Sequence, residues 1–302
     1  MRDLTWIDAH VHVSNMDPDG TLRDDILAPL LEVLDRSGED LRMVVSADFP
    51  WPGMMQTDPE AILEAHRFIH DLCRRAPERL YGAFMPNPHF MDESLAVMER
   101  CFEQWDFVMV GEMLQYIFDF YMDSAEAEQL VRRSVEYDVP VQVHISTSNS
   151  GSQGQFEDGG TGQIADCMAL AERVPEADYI LAHFIGTPAD DPPVVSGYLD
   201  QIEAHFGEFP RNFWAEIRDF ESPGLQVAMD RIPHDRLIVG TDYVTRTGPP
   251  FPDYGVTFRV DPEETAHEPG IPAMVDYLKQ AGADDDDIRA IGYRNLAGLL
   301  GI

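Results

Sequence analysis

The sequence predicts a single (β/α)₈ TIM barrel spanning residues 1–302. Three observations carry this. Eight short apolar runs recur along the chain, each followed by a helix-like segment. Five of those runs end in histidine, glutamate or aspartate. No G-x-G-x-x-G or G-x-x-x-x-G-K-[ST] loop follows any run, which disfavours the alternative, a nucleotide-binding open sheet. Strands alternating with helices imply right-handed crossovers and a parallel sheet, and eight such units in about 250 residues or more fit a closed barrel.

The first run, Trp6-Ile7-Asp8-Ala9-His10-Val11-His12, has the near-continuous apolar character of a buried parallel strand. His10 and His12, two residues apart on an extended chain, point the same way. Leu22 to Arg36 carries apolar residues at helical spacing and ends before Gly38. Met43-Val44-Val45 is the second strand, and Asp48 to Gly53, with two prolines and two aromatics, reads as a turn-rich loop. Asp58-Pro59-Glu60 starts the next helix, which runs to about Arg75.

The unit then repeats. Predicted strands lie at 80–85, 107–112, 139–144, 178–183, 212–217 and 236–241. Predicted helices lie at 91–104, 124–137, 162–173, up to about 206, and 223–231. Two polar or Pro/Gly-rich loops, Ser146 to Gly160 and Val244 to Thr265, interrupt the pattern, and helices at 272–280 and 285–300 close it.

Composition bounds the function. Hydrophobic content of 44% with 10% aromatics suits a chain that buries a core. No apolar run approaches the ~20 residues of a membrane span, and the N-terminus lacks a signal-peptide core, so the expected location is cytoplasmic. Cys73, Cys101 and Cys167 are odd in number and contain no C-x-x-C pair, which excludes a disulfide framework or a cysteine-built zinc site. Fifty-five acids against 21 bases give a net charge of −34, and Lys279 is the only lysine. Such a surface repels phosphate backbones, so no nucleic-acid partner is expected. The acids are spread along the whole chain, as in a protein adapted to high salt, and Asp284 to Asp287 reads as a solvated helix start. A small-molecule substrate is the expected partner, and the sequence leaves room for a homo-oligomer.

In a barrel, chemistry gathers at the C-terminal ends of the strands. The residues predicted there are His10 and His12 on strand one, Glu112 on four, His144 on five, His183 on six and Asp242 on eight. Neutral imidazoles and carboxylates are the ligands that Zn²⁺, Mn²⁺ or a similar divalent ion takes, in one or two sites. His66 and His70, four apart on the second predicted helix, read as part of a partly buried outer face. Phe49, Trp51, His89, Tyr116 and Arg246 come from the loops after strands two, three, four and eight and are the expected substrate-pocket residues. Arg246 is placed to pair with a substrate carboxylate.

The order His-x-His, Glu, His, His, Asp resembles the amidohydrolase superfamily of metal-dependent hydrolases. The likeness runs from Asp8-Ala9-His10-Val11-His12 to Tyr293-Arg294-Asn295-Leu296, a segment similar to the terminal helix start of the decarboxylase-containing branch. Val110-Gly111-Glu112 resembles the strand-four Gly-Glu of TatD-like hydrolases, whereas Met113-Leu114-Gln115-Tyr116 departs from that pattern. The resemblance implies His10 and His12 on a more buried metal and His144 and His183 on a more exposed one. It also implies Glu112 as a bridge and Asp242 as ligand and proton shuttle, with Asp242, Glu112 and His183 as the catalytic set. The carboxylated lysine of many binuclear relatives is excluded, because Lys279 lies in a C-terminal helix. The implied activity is hydrolysis of a lactone, amide or ester by activated water; the alternative is mononuclear, non-oxidative decarboxylation of an aromatic or enal acid.

The charge reading makes a direct prediction. Raising KCl from dilute buffer to molar concentrations raises the Tm in thermal denaturation, because screening relieves self-repulsion. A Tm independent of salt contradicts it.

Overall fold

Eight parallel strands of the computed structural model form a nearly closed barrel. Residues 4–16, 21–22, 26–36, 40–145, 161–186, 191–244, 258–260, 267–269 and 271–302 are described. The strands are β1 (Thr5–Val13), β2 (Asp40–Ala47), β3 (Leu80–Phe84), β4 (Met109–Met113), β5 (Val141–His144), β6 (Tyr179–Ile185), β7 (Phe213–Ile217) and β8 (Leu237–Val239). They pair in sequence order, each parallel to the next.

Closure comes from an interruption in the last strand. β8 pairs with β7, and the chain then resumes as the two-residue strand Tyr243–Val244, which pairs with β1 through Val11↔Tyr243 and His12↔Val244. The intervening turn is tied to β1. The buried carboxylate of Asp8 accepts from the Thr241 backbone N at 2.9 Å and from its Oγ1 through a short hydrogen bond.

Helices cover the outside. Those between strands are α1 (Leu27–Arg36), α2 (Trp51–Met55), α3 (Glu60–Arg75), α4 (Met91–Gln104), α5 (Gln115–Phe118), α6 (Ala125–Glu136), α7 (Thr161–Arg173), α8 (Asp191–Phe206) and α9 (Gly224–Arg231). The last three, α10 (Ile271–Gln280), α11 (Asp285–Arg289) and α12 (Asn295–Leu300), end the chain.

Four expectations are corrected here. Leu22 is exposed and pairs with Met16 in an isolated bridge, so the first helix begins later, at Leu27. The presumed loop at 48–53 contains α2, because proline is tolerated in a helix's first turn. Tyr116, expected in a loop, falls in the short α5. The expected helix 285–300 is divided into α11 and α12 by a π-helical turn, Ala290–Arg294, where Gly292 lies against the Trp6 ring. Asp284 lies at a helix start, where it caps α11 by accepting from the backbone N of Asp286 and Asp287.

The core has two parts. The larger packs the outer faces of the strands against the helices, with Leu34, Ile62, Ile69, Leu130 and Leu199 fully buried. The smaller joins Ile7, Ala9, Val44, Ala83, Met109, Ile180, Trp214 and Ile238 from seven strands with Leu296 and Ala297 of α12. It fills the barrel beneath the strand ends where the histidines lie. A register shift between Asp8 and Val11 in β1 sets the change from Ile7 and Ala9, in this inner cluster, to Val11, in the outer one. The three cysteines are unpaired. Among the described residues no helix is long and apolar enough to cross a membrane.

Candidate metal centre

Six of the residues singled out from sequence converge at the C-terminal pole. His10 and His12 end β1, Glu112 lies in β4, His144 ends β5, His183 lies in β6, and Asp242 follows β8. The Nε2 atoms of His10 and His12 are 3.0 Å apart. Glu112 Oε2 lies 3.2 Å from His10 Nε2 and 3.4 Å from His12 Nε2. Its other oxygen, Oε1, lies 2.7 Å from His144 Nδ1 and 3.2 Å from His183 Nε2. Those two histidine nitrogens are 3.2 Å apart. Asp242 Oδ1 closes the first group, 3.4 Å from His12 Nε2 and 3.7 Å from His10 Nε2.

His10, His12 and Glu112 thus offer ligand atoms within 4.8 Å of one another, and so do Glu112, His144 and His183. Paired imidazole nitrogens facing each other at 3.0–3.2 Å, with carboxylate oxygens between them, fit a divalent cation in each group. Such contacts between two nitrogen donors otherwise need a proton on one partner and a lone pair on the other.

The backbone is bent to achieve this. His183 has φ 38 and Asp242 φ 57, left-handed values that cost non-glycine residues of order 1–3 kcal/mol each. Gly111 has φ 148, and a Cβ there would lie 2.6 Å from Cβ of Gln142, so only glycine lets β4 present Glu112 beside β5.

Electrostatics distinguish the two groups. Burial pushes the His10 imidazole down, but the charges of Glu216 and Glu112 outweigh it and hold the group well above its ordinary range. His12 is likewise opposed by burial yet raised to about 9 by its hydrogen bonds to Asp242 and Glu112. Burial would raise Asp242; the hydrogen bond from His12 and the nearby imidazoles hold it at about 2. Glu112 is held well below the carboxylate range against its own burial, chiefly by His10 and His144. His144 is lowered, because burial outweighs the attraction of Glu112. The neighbouring carboxylates thus favour protonation on the His10–His12 side, whereas burial disfavours it at His144.

Residues that the sequence reading passed over complete the shell. Glu216, on β7 and fully buried, accepts from His10 Nδ1 at 2.9 Å. Ser46 on β2 lies 3.0 Å from His12 Nδ1. Arg218, just past β7 and buried, places Nε 3.7 Å from Asp242 Oδ2 and donates to the Gly186 carbonyl at 2.7 Å. Glu216 and Arg218 alternate at a strand end as His10 and His12 do, a signal that was available in the sequence.

The expected pocket residues divide. Tyr116 is half-buried, with its ring 4.7 Å from that of His144. Trp51 is buried, and its Nε1 donates to Asn15 Oδ1 at 3.2 Å. Phe49 is exposed. His89 is exposed too, and its ring faces the Asp119 carbonyl at 3.2 Å. Arg246 lies outside the described residues, as does the 146–160 loop. His66 is fully buried, not partly: it accepts from Met85 N at 2.8 Å, bonds the Ile62 carbonyl, and is lowered by burial to about 4.

The amidohydrolase family model matches residues 7–302. The chain belongs to the amidohydrolase family. No curated protein matches it in sequence. Solved structures do resemble this amidohydrolase. The 2,6-dihydroxybenzoate decarboxylase from Rhizobium is 18% identical with a TM-score of 0.66, over 100% of this chain and 99% of that one. The 4-oxalomesaconate hydratase from Rhodopseudomonas palustris is 15% identical with a TM-score of 0.69, covering 98% and 96%. The dihydroxybenzoic acid decarboxylase from Polaromonas sp. JS666, solved with bound manganese and the inhibitor 2-nitroresorcinol, is 17% identical with a TM-score of 0.66, covering 100% and 97%. At these identities the likeness is one of fold. The histidine–carboxylate groups and the family together support divalent metal binding.

The raised histidines and depressed carboxylates set a sign for pH. The raised His12 stabilises the metal-free fold below pH 6.5, and that contribution is lost as pH rises through about 9. The depressed Asp242 stabilises it above pH 3.8, a contribution lost as pH falls towards about 2. A cation must displace the imidazole protons. Adding Zn²⁺ to chelator-stripped protein at pH 7 in weak buffer is expected to release about one to two protons per chain, with apparent affinity rising from pH 6 to 9. Binding without proton release contradicts the assignment.

Proposed function

We propose that this amidohydrolase is a divalent-metal-dependent hydrolase acting on a small-molecule lactone, amide or ester. The observation that carries the reading is the division of Glu112, whose two oxygens face two separate histidine pairs, His10–His12 and His144–His183. That is the arrangement of a carboxylate shared between two cation sites, and two-cation sites suit attack by water. Divalent cations held there supply Lewis acidity and make water a nucleophile near neutral pH.

The chain's own residues do the rest. Asp242, whose carboxylate stands beside His12 and His10, accepts the proton of the attacking water and returns it to the leaving group. It is the least enclosed of the candidate ligands, its side chain 16% exposed beside 10% for His12 and 3% for Glu112, and so faces the substrate side. Arg218 stands next to it as a fixed positive charge for an anionic substrate or leaving group. Tyr116 and Trp51 supply apolar surface at the mouth, and Phe49, His89 and Arg246 complete the proposed pocket.

A second reading, mononuclear decarboxylation of an aromatic or enal acid, is supported by the decarboxylase names of two of the structural neighbours and by Arg218 as a carboxylate anchor. Glu112 separates the two, because decarboxylation at one cation does not need it. Turnover is to be screened with Zn²⁺ or Mn²⁺ against lactones, amides, esters and aromatic acids, then measured in Asp242→Asn and Glu112→Gln. The hydrolase reading expects both variants to lose roughly 10²–10⁴-fold in kcat/KM. CO₂ release with Glu112→Gln unaffected selects the decarboxylase, and undiminished turnover in Asp242→Asn overturns the proton-transfer role in either.

A further inference from the structure

We propose that Glu216 is a positioning residue for both halves of the centre, selecting Nε2 of His10 for the cation and fixing the strained backbone of His183. This rests on the metal-centre reading above. Glu216 is fully buried on β7, a strand that contributes no candidate ligand. One oxygen, Oε2, accepts from His10 Nδ1 at 2.9 Å and from the His183 backbone N at 2.9 Å. The other, Oε1, accepts from Gln142 Nε2 at 2.6 Å. Gly240 on the far side leaves the carboxylate its room, since a Cβ there would lie 2.3 Å from Glu216 Cδ.

Two consequences follow. An imidazole that donates Nδ1–H to a carboxylate has only Nε2 left as a ligand, and that acceptor also makes Nε2 more basic. His10 Nε2 is the atom that faces His12, Glu112 and Asp242. His183 is in the second group, and its left-handed φ of 38 aims its side chain into the site. A hydrogen bond from its own N–H to a buried carboxylate is what holds such a conformation against its cost. One side chain thus couples ligands on β1 and β6 that are 173 residues apart in sequence (His10 to His183).

The test is Zn²⁺ affinity, measured by competition with a chromophoric chelator on stripped full-length wild type, Glu216→Gln and Glu216→Asp, with near-ultraviolet circular dichroism as the check on folding. Glu216→Gln keeps the volume and removes the charge; its affinity is expected to fall by ~10–100-fold. Glu216→Asp, which keeps the charge, is expected to recover part of the loss. Gln142→Met, which removes the donor on Oε1 together with a long hydrogen bond to the Ala9 carbonyl, is expected to bind as wild type does. Equal affinity in Glu216→Gln and wild type overturns the proposal, as does a Glu216→Asp no better than Glu216→Gln. Should Glu216→Gln not fold, a Gln142→Met that binds more weakly than Glu216→Asp overturns it instead. Wild type that takes up no Zn²⁺ defeats the metal-centre reading itself, which separates the two failures.

Discussion

Buried negative charge is the constraint from which the rest of this structure follows. Asp8, Glu112 and Glu216 are almost wholly enclosed at one pole of the barrel, with Asp242 beside them, and among the described residues Arg218 is the guanidinium that contacts the group. Carboxylates taken out of water cost several kcal/mol each unless they are paired and hydrogen-bonded. Asp8 is relieved locally by Thr241 and the His10 backbone N, and burial still raises it. The others look to the histidines. The carboxylates draw the His10–His12 pair towards protonation in the metal-free chain, and divalent cations would supply the positive charge more completely. The ligand set is therefore an electrostatic requirement of the fold as well as a chemical device.

Backbone strain accompanies these buried groups. Left-handed backbone at His183 and Asp242 and a close approach at Gly111 recur at ligand positions. The two left-handed residues are backed by buried acceptors: Glu216 beneath His183, and Asp8 beside the turn that carries Asp242. The turn at Gly240–Asp242 also lets the last strand switch partners and close the barrel. Closure and ligand presentation are one feature of the chain.

Much of this was legible in the sequence, because strand-end chemistry leaves a periodic trace. His-x-His after an apolar run marked two of the residues that converge at the pole, and single His, Glu or Asp residues ending later runs marked four more. What escaped has physical reasons. The run Phe213-Trp214-Ala215-Glu216-Ile217 identifies β7 as a strand, and alternation with Arg218 is the one local signal that singles out Glu216. Its partners are His10 and Gln142, distant in sequence. The helix at Trp51–Met55 was hidden because Pro50, Pro52 and Gly53 carry turn chemistry whether or not a helix follows. The division of Glu112 between two histidine pairs required coordinates, since spacing along a chain cannot say which oxygen faces which ring.

The central claim is that this pole of the barrel binds divalent cations on either side of Glu112. Anomalous diffraction from crystals soaked in Zn²⁺ or Mn²⁺, recorded at the metal edge, addresses it most directly. The account predicts two peaks per chain, one among His10, His12 and Asp242 and the other between His144 and His183, with Glu112 touching both. Absence of any peak within coordinating distance of these side chains at saturating metal contradicts it.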